Sequence, residues 1–348
     1  MVEPASTEVR RHSRFWLYTP FVLLLLVAVA WSIAWFFIRN RAGDMLDAWL
    51  AAEVAQGRQW TCADRTIAGY PFRIELVCPM LTLKQGAVNA SFGRVEAIAQ
   101  VYQPRLVIAE IGGPLNVTDG RATIQGTWDL LQASIHATPN SFQRLSLAAT
   151  NPKLTVTGLT PQAIATSGQR LEMHLRPNPN RVQEKAYDAA FAIRQATIPF
   201  IDALIGGAEP TDLNADVTLT QADGFRGRPI AQELERWRAA DGTLDILMLS
   251  ATKGARRMEA KGKLSLDPEH RPTGQLSASA AGLDGLLSSI TGSRNTGALL
   301  GALLGQAPSA GGNNGQPKLS PLPPLRMENG LLALGPFVVP NVKLQPLY

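Results

Sequence analysis

From Trp16 to Ile38 the chain carries no charged side chain, and Val22 to Ala30 has no polar side-chain atom. As a helix this run rises about 34 Å, enough to cross a hydrocarbon core of about 30 Å. Trp16 and Tyr18 stand at one end and Trp31 and Trp35 at the other, where amphipathic rings favour the headgroup level. Arg10, Arg11 and Arg14 precede the run and Arg39 and Arg41 follow it. The pattern predicts a transmembrane helix at 16–38, with 1–15 as a cytoplasmic tail by the positive-inside rule. A cleaved signal peptide is the rival reading, because Ala28-Val29-Ala30 has the small-x-small form. Apolar residues continue well past that triplet, whereas a secretory apolar region is usually about 7–15 residues.

Beyond the span, Met45, Leu46, Trp49, Leu50 and Val54 recur at helical spacing and predict a docking helix over 41–55. A period of two then takes over. Val95, Ala97, Ala99 and Val101 alternate with Arg94, Glu96, Ile98 and Gln100. Further strands are predicted over 105–110, 121–128, 141–148, 153–157, 169–175, 188–193, 212–220, 243–250, 257–266 and 274–280. Gly112-Gly113-Pro114, Asp119-Gly120, Asn151-Pro152, Asp223-Gly224 and Asp241-Gly242 supply turn chemistry. Helical patterns interrupt at about 229–239 and 283–304.

The expected fold is mainly β with a few helices: a transmembrane helix, then a large curved antiparallel sheet forming an open groove or half-barrel. The β-rich domain is expected over 39–305, a flexible linker or loop over 306–320, and a strand segment returning to the domain over 321–348. Gly297, Gly301 and Gly305 repeat every fourth residue, which suits either a helix packed on its own sheet or a lid dipping into lipid.

Composition adds a bias. Charged residues make up 18% of the chain, below the usual ~25%, and the formal charge is +5. There is no dense basic stripe interleaved with aromatics, so nucleic acid is not an expected partner. Cys62 and Cys78 flank Gly69-Tyr70-Pro71, a plausible turn. A hairpin centred on Tyr70 would set Cys62 opposite Cys78 and Arg65 opposite Glu75, within reach of a disulfide. An oxidised pair implies an exported domain; two buried thiols are the alternative.

Candidate chemistry is sparse. His12, His136, His174 and His270 lie far apart, none at a recognised zinc spacing, and Glu172 with His174 on one strand is a weak metal pair. No nucleophile elbow or phosphate loop is present. No catalytic residue, metal or cofactor is expected, and the chain is not expected to be an enzyme. Lys253, Arg256, Arg257, Lys261 and Lys263 cluster with only Glu259 opposing them, as a solvated hairpin rim or a contact for anionic headgroups.

Three segments together carry a resemblance. They are the anchor with Cys62…Gly69-Tyr70-Pro71-Phe72-Arg73…Cys78; Asp241-Gly242-Thr243-Leu244 with Gly262-Lys263-Leu264-Ser265-Leu266-Asp267 and Arg271-Pro272-Thr273-Gly274-Gln275-Leu276; and Glu328-Asn329-Gly330-Leu331-Leu332-Ala333-Leu334-Gly335-Pro336. In these the chain resembles an uncharacterised family of Gram-negative inner-membrane proteins, domain of unknown function 2125. The Gly-aromatic-Pro-Phe element is also distantly similar to AsmA-like envelope proteins, which build groove-forming sheets linked to lipid movement. The family resemblance supplies no catalytic residues.

The expected product is a single-pass inner-membrane protein, N-terminus cytoplasmic and main domain periplasmic, binding lipid or another apolar ligand in a β-sheet groove. Phe72, Ile74, Leu76, Leu244, Ile246, Met248, Leu264 and Leu266 would line the groove, and Arg256, Arg257 and Lys261 would meet headgroups. The alternative is a structural or assembly factor for envelope complexes, with protein partners and no ligand.

Overall fold

A computed structural model describes residues 15–138, 141–199, 201–202, 209–225, 228–282 and 319–348. The helical pattern at 283–304, the glycine repeat and most of the 306–320 linker lie outside the described residues.

The predicted span and docking helix are one element. Helix α1 runs unbroken over Phe15–Ala55, about 60 Å long. The junction at Arg39–Asp44 contains no proline, and only Gly43 weakens it. A Cβ there would sit 3.6 Å from Ile67 Cδ1, in ordinary contact with the sheet. From Trp16 to Ala30 every residue is exposed, and Trp31 Nε1 donates to Pro71 O on the sheet.

A small antiparallel sheet runs β1 (Gln59–Cys62), β4 (Leu81–Gln85), β5 (Val88–Phe92), β8 (Leu115–Thr118), β9 (Thr123–Thr127), β12 (Lys153–Thr157) and β13 (Ile164–Ser167). The strands between them in the chain are β2 (Thr66–Ala68), β3 (Arg73–Cys78), β6 (Val95–Gln100), β7 (Gln103–Ile111), β10 (Leu130–Thr138), β11 (Ser141–Thr150) and β14 (Arg170–Pro177). These form one flank of a large sheet, in the matching order. The two sheets are thus halves of one meander of long strands, each interrupted by two or three residues along a common crease.

Close backbone approach shapes the crease. Gly93 N donates to Gly112 O at 3.1 Å and Gly112 N to Arg94 O at 2.6 Å. A Cβ on Gly93 would lie 2.3 Å from Gly113 O, so only glycine fits.

Beyond β14 the large sheet continues as β15 (Tyr187–Ala196), β16 (Thr211–Leu219), β17 (Leu244–Lys253), β18 (Arg256–Leu266), β19 (Pro272–Ala281), β21 (Leu325–Glu328), β22 (Leu331–Leu334) and β23 (Phe337–Lys343). Strand β20 (Ser320–Pro321) pairs with β19, and helix α2 (Ile230–Ala239) joins β16 to β17. The order is a path with two free edges, not a closed barrel.

Helix α1 covers the edge formed by β1 and β2, one of the ways a protein blunts an exposed sheet edge. Arg39 Nε donates to Ile67 O at 2.8 Å, and Arg65 pairs with Asp47 at 2.7 Å. At the top of the helix buried Glu53 takes two bonds from Arg58, at 2.6 and 2.8 Å, and one from Trp60 at 3.2 Å. The Arg58 guanidinium, seconded by the Trp60 N–H, holds the Glu53 carboxyl below its ordinary pKa against the opposing effect of burial.

Cys62 and Cys78 are joined, with Cα atoms 5.6 Å apart. The predicted register is corrected. Thr66 faces Val77 and Ala68 faces Glu75, and beyond the crease Cys62 faces Leu81. The bridge therefore runs across the crease from the end of β1 to the end of β3, instead of directly across a hairpin. Arg65 and Glu75 do not meet, and Glu75 pairs with Arg73 at 2.8 Å.

Candidate functional site: an apolar face across the bent sheet

Residues directly opposite each other in antiparallel strands project to the same face. One row can be followed across the large sheet: Ile74, Ala99, Val107, Ile135, Leu145, Leu175, Ala189, Val217, Ile246, Gly262, Leu276, Leu325 and Leu334. At about 4.8 Å per strand it extends for nearly 60 Å. No member is polar. The next row toward the crease repeats the pattern with Leu76, Ala97, Ala109, Ala133, Leu147, Met173, Phe191 and Ala215. The small sheet extends this surface, with Trp60 opposite Leu83, Leu83 opposite Ala90, and Val117 opposite Ile124. Cys62 and Cys78 lie on the apolar side of their strands, so the disulfide stitches the apolar surface across the crease.

The opposite face is mixed, mainly polar in mid-sheet, with Ile98, Ile108 and Met248 also on it. Ser134, Ser146, His174, Ala190 and Asp216 form one of its rows. His174 Nδ1 lies 3.0 Å from Ser146 Oγ, and Glu172 is paired with Arg170 at 2.6 Å. That arginine holds the Glu172 carboxyl below its ordinary pKa. Among the described residues no group of three or more His, Cys, Asp or Glu is placed to hold a metal.

The apolar face stays partly open. Val107 is 36%, Phe191 37% and Ile135 44% exposed. Ile74, Leu76, Leu244, Leu264 and Leu266 are half-buried, and Ile246 is buried at 9%. These residues lie on the same face, with Leu244 opposite Leu264 and Leu266 opposite Pro272. In proteins generally, continuous exposed apolar surfaces are common places for contact with lipids, ligands or other proteins.

Two lining candidates are corrected. Met248 lies opposite Asp216 while Ile246 lies opposite Val217, so a β-bulge at Leu247 turns Met248 to the polar face. Phe72 precedes β3 and sits on the hairpin tip, 61% exposed, its ring 6.0 Å from that of Trp31. The basic candidates do not form one patch. Arg256 is opposite Lys253, on the apolar side, 3.8 Å from Glu209. Arg257 and Lys261 project from the polar face, with Glu259 between them paired to Arg257 at 2.6 Å. Arg256 and Arg257 also stand at the crease end of β18, whereas the Phe72 tip lies at the opposite strand ends.

Sequence reading missed the contacts that place this face beside the apolar helix. Trp31 Nε1 donates to Pro71 O at 2.9 Å and Trp35 Nε1 to Arg73 O at 3.1 Å. Ser32 Oγ and the Tyr70 hydroxyl lie 2.8 Å apart, and the Trp35 and Tyr70 rings meet edge-on at 5.4 Å. The signal available was the pairing of Trp31 and Trp35 on one helix face with an aromatic-rich turn.

No curated protein and no solved structure matches the chain, and the AsmA-like relationship is not shown. The family model described as an uncharacterized protein conserved in bacteria (DUF2125) matches residues 35–342, from the sheet-packed half of α1 to β23, and the chain belongs to that family.

Proposed function

We propose that this protein is a membrane-anchored, non-enzymatic lipid-binding protein of the bacterial envelope, holding acyl chains along the apolar face of its bent sheet. The observation that carries the reading is the unbroken apolar row from Ile74 to Leu334, left partly open at Val107 and Ile135, with Phe191 exposed in the row beside it. An apolar helix with a mean hydropathy of 2.7 over its best window supports an anchor at the edge of that face. The disulfide supports a periplasmic domain, because such bonds persist in oxidising compartments.

A photo-crosslinking amino acid tests the reading in full-length protein given radiolabelled phospholipid. Label should attach at Ile135 and Phe191, and not at Ser134 or His174 on the polar face. Equal labelling of both faces, or none in folded protein, would favour the assembly-factor role.

A further inference from the structure

We infer that the hairpin tips bearing Tyr70, Phe72 and Tyr102 are seated in the headgroup region of the bilayer that α1 crosses; this rests on α1 being a retained anchor. The first ground is a length mismatch. The fully exposed part of α1, Trp16 to Ala30, rises about 22 Å, against a hydrocarbon core of about 30 Å. The remaining ~8 Å falls on the next turn and a half of helix, which holds Trp31 and Trp35. Those residues do not enter the membrane alone. Trp31 is bonded to Pro71 O at 2.9 Å and Trp35 to Arg73 O at 3.1 Å, so the β2–β3 tip is fixed at their level.

The second ground is the chemistry of the tips. Tyr70 is 54%, Phe72 61% and Tyr102 72% exposed, and no charged residue lies in Gly69–Phe72 or Val101–Tyr102. The β6–β7 tip is held to the β2–β3 tip by Val101 N donating to Phe72 O at 3.0 Å. Exposed aromatic rings at the depth of a membrane interface have one end for the hydrocarbon and one for water. Arg39 and Arg73 lie just above, where long cationic side chains reach headgroups. Seating the tips here brings Ile74, Ala99 and Val107, the first members of the apolar row, to the membrane surface.

The test uses the full chain in phosphatidylethanolamine–phosphatidylglycerol vesicles, with a fluorophore on a single added thiol and the native disulfide left oxidised. The sites are Leu25→Cys in the span, Phe72→Cys and Tyr102→Cys on the tips, and Ala87→Cys on the exposed β4–β5 turn beyond the crease. Fluorophores at 72 and 102 should be quenched by lipid spin-labelled at the headgroup, and several-fold less by aqueous iodide than the one at 87. Two tip sites guard against one variant misfolding. If 25 reports lipid while 72 and 102 are as open to iodide as 87, the seating is overturned and the anchor stands. If 25 is itself open to iodide, the anchor and the seating both fall.

Discussion

At the residue scale, partners far apart in sequence decide which polar groups can be buried. Lys253 continues the apolar side of β17 after Leu249 and Ala251, yet it is 2% exposed and donates to Asp202 Oδ1 and Glu209 O, both at 2.5 Å. Removing one member of a buried pair strands the other, so Lys253→Ala should cost about 3 kcal/mol in urea unfolding, the low end for such pairs because Asp202 keeps some water. Glu235 offers a test by pH. Hydrogen bonds from Arg238, and then from the Tyr348 hydroxyl at 2.8 Å, pull its carboxyl down from 4.5 to about 2. A carboxyl depressed on folding stabilises fully above its unfolded pKa and loses that contribution as pH falls through the folded one. The stability difference between the wild type and Glu235→Gln should therefore shrink between about pH 4.5 and 2. Added salt should shrink it too, since the pair is solvent-accessible. Cys62 and Cys78 could be paired from sequence because the chain has two cysteines in all and they flank a turn. Met248 could not be placed, because four successive apolar residues, Ile246 to Leu249, leave the alternation without a phase and hide the bulge.

At the scale of elements, alternation located the long strands. Strand β12 has the predicted ends, and β6, β18 and helix α2 lie within a residue or so of theirs. Strand β10 was overlooked although Leu131, Ala133, Ile135 and Ala137 alternate plainly. The larger miss concerns connections. Gly112-Gly113-Pro114 and Asn151-Pro152 look like hairpin turns, but the chain passes through both without reversing, from one half-sheet into the other. Glycine and proline interrupt a ladder in either case, and only the partner strands determine whether it reverses or bends. Asp119-Gly120 is a true reversal, with Asp119 Oδ1 accepting from Arg121 N and Ala122 N at 2.9 and 2.8 Å. Because the crease depends on close backbone contact, Gly93→Ala should destabilise the domain by about 1–3 kcal/mol through overpacking against Gly113 O. Cys78→Ala, which removes the stitch across the same crease, should cost about 2–5 kcal/mol. Urea melts of both variants under oxidising conditions check the two values.

At the scale of the whole molecule, the question is why a domain of this size leaves so much apolar surface half-open. Water at an apolar face costs about 25 cal/mol per Å², so an unoccupied surface this long is a standing penalty that binding would relieve. Neither free edge of the sheet is joined to the other, which leaves the row running from the helix-covered edge toward β23. An acyl chain laid along it would cross successive strands at right angles and meet an aliphatic side chain every ~4.8 Å except at Gly262. This geometry makes the ligand's dependence on one wall residue testable apart from the fold. Ile135 is the fourth member of the row from the helix-covered edge and is 44% exposed, so a carboxylate there stays hydrated in the absence of ligand and folding should survive Ile135→Asp. With acyl chains seated, the same carboxylate would be stripped of water without a partner, at a cost of several kcal/mol. Protein extracted gently from membranes and analysed by mass spectrometry should then carry much less co-purified lipid in Ile135→Asp than in the wild type. Ser134→Asp, one residue away on the polar face, should keep the wild-type load. Equal loss in both variants would point to a general surface effect, and equal retention would mean that acyl chains do not pass Ile135. Either result would remove the groove from the proposed function, whereas loss at Ile135 alone would assign the apolar row its occupant.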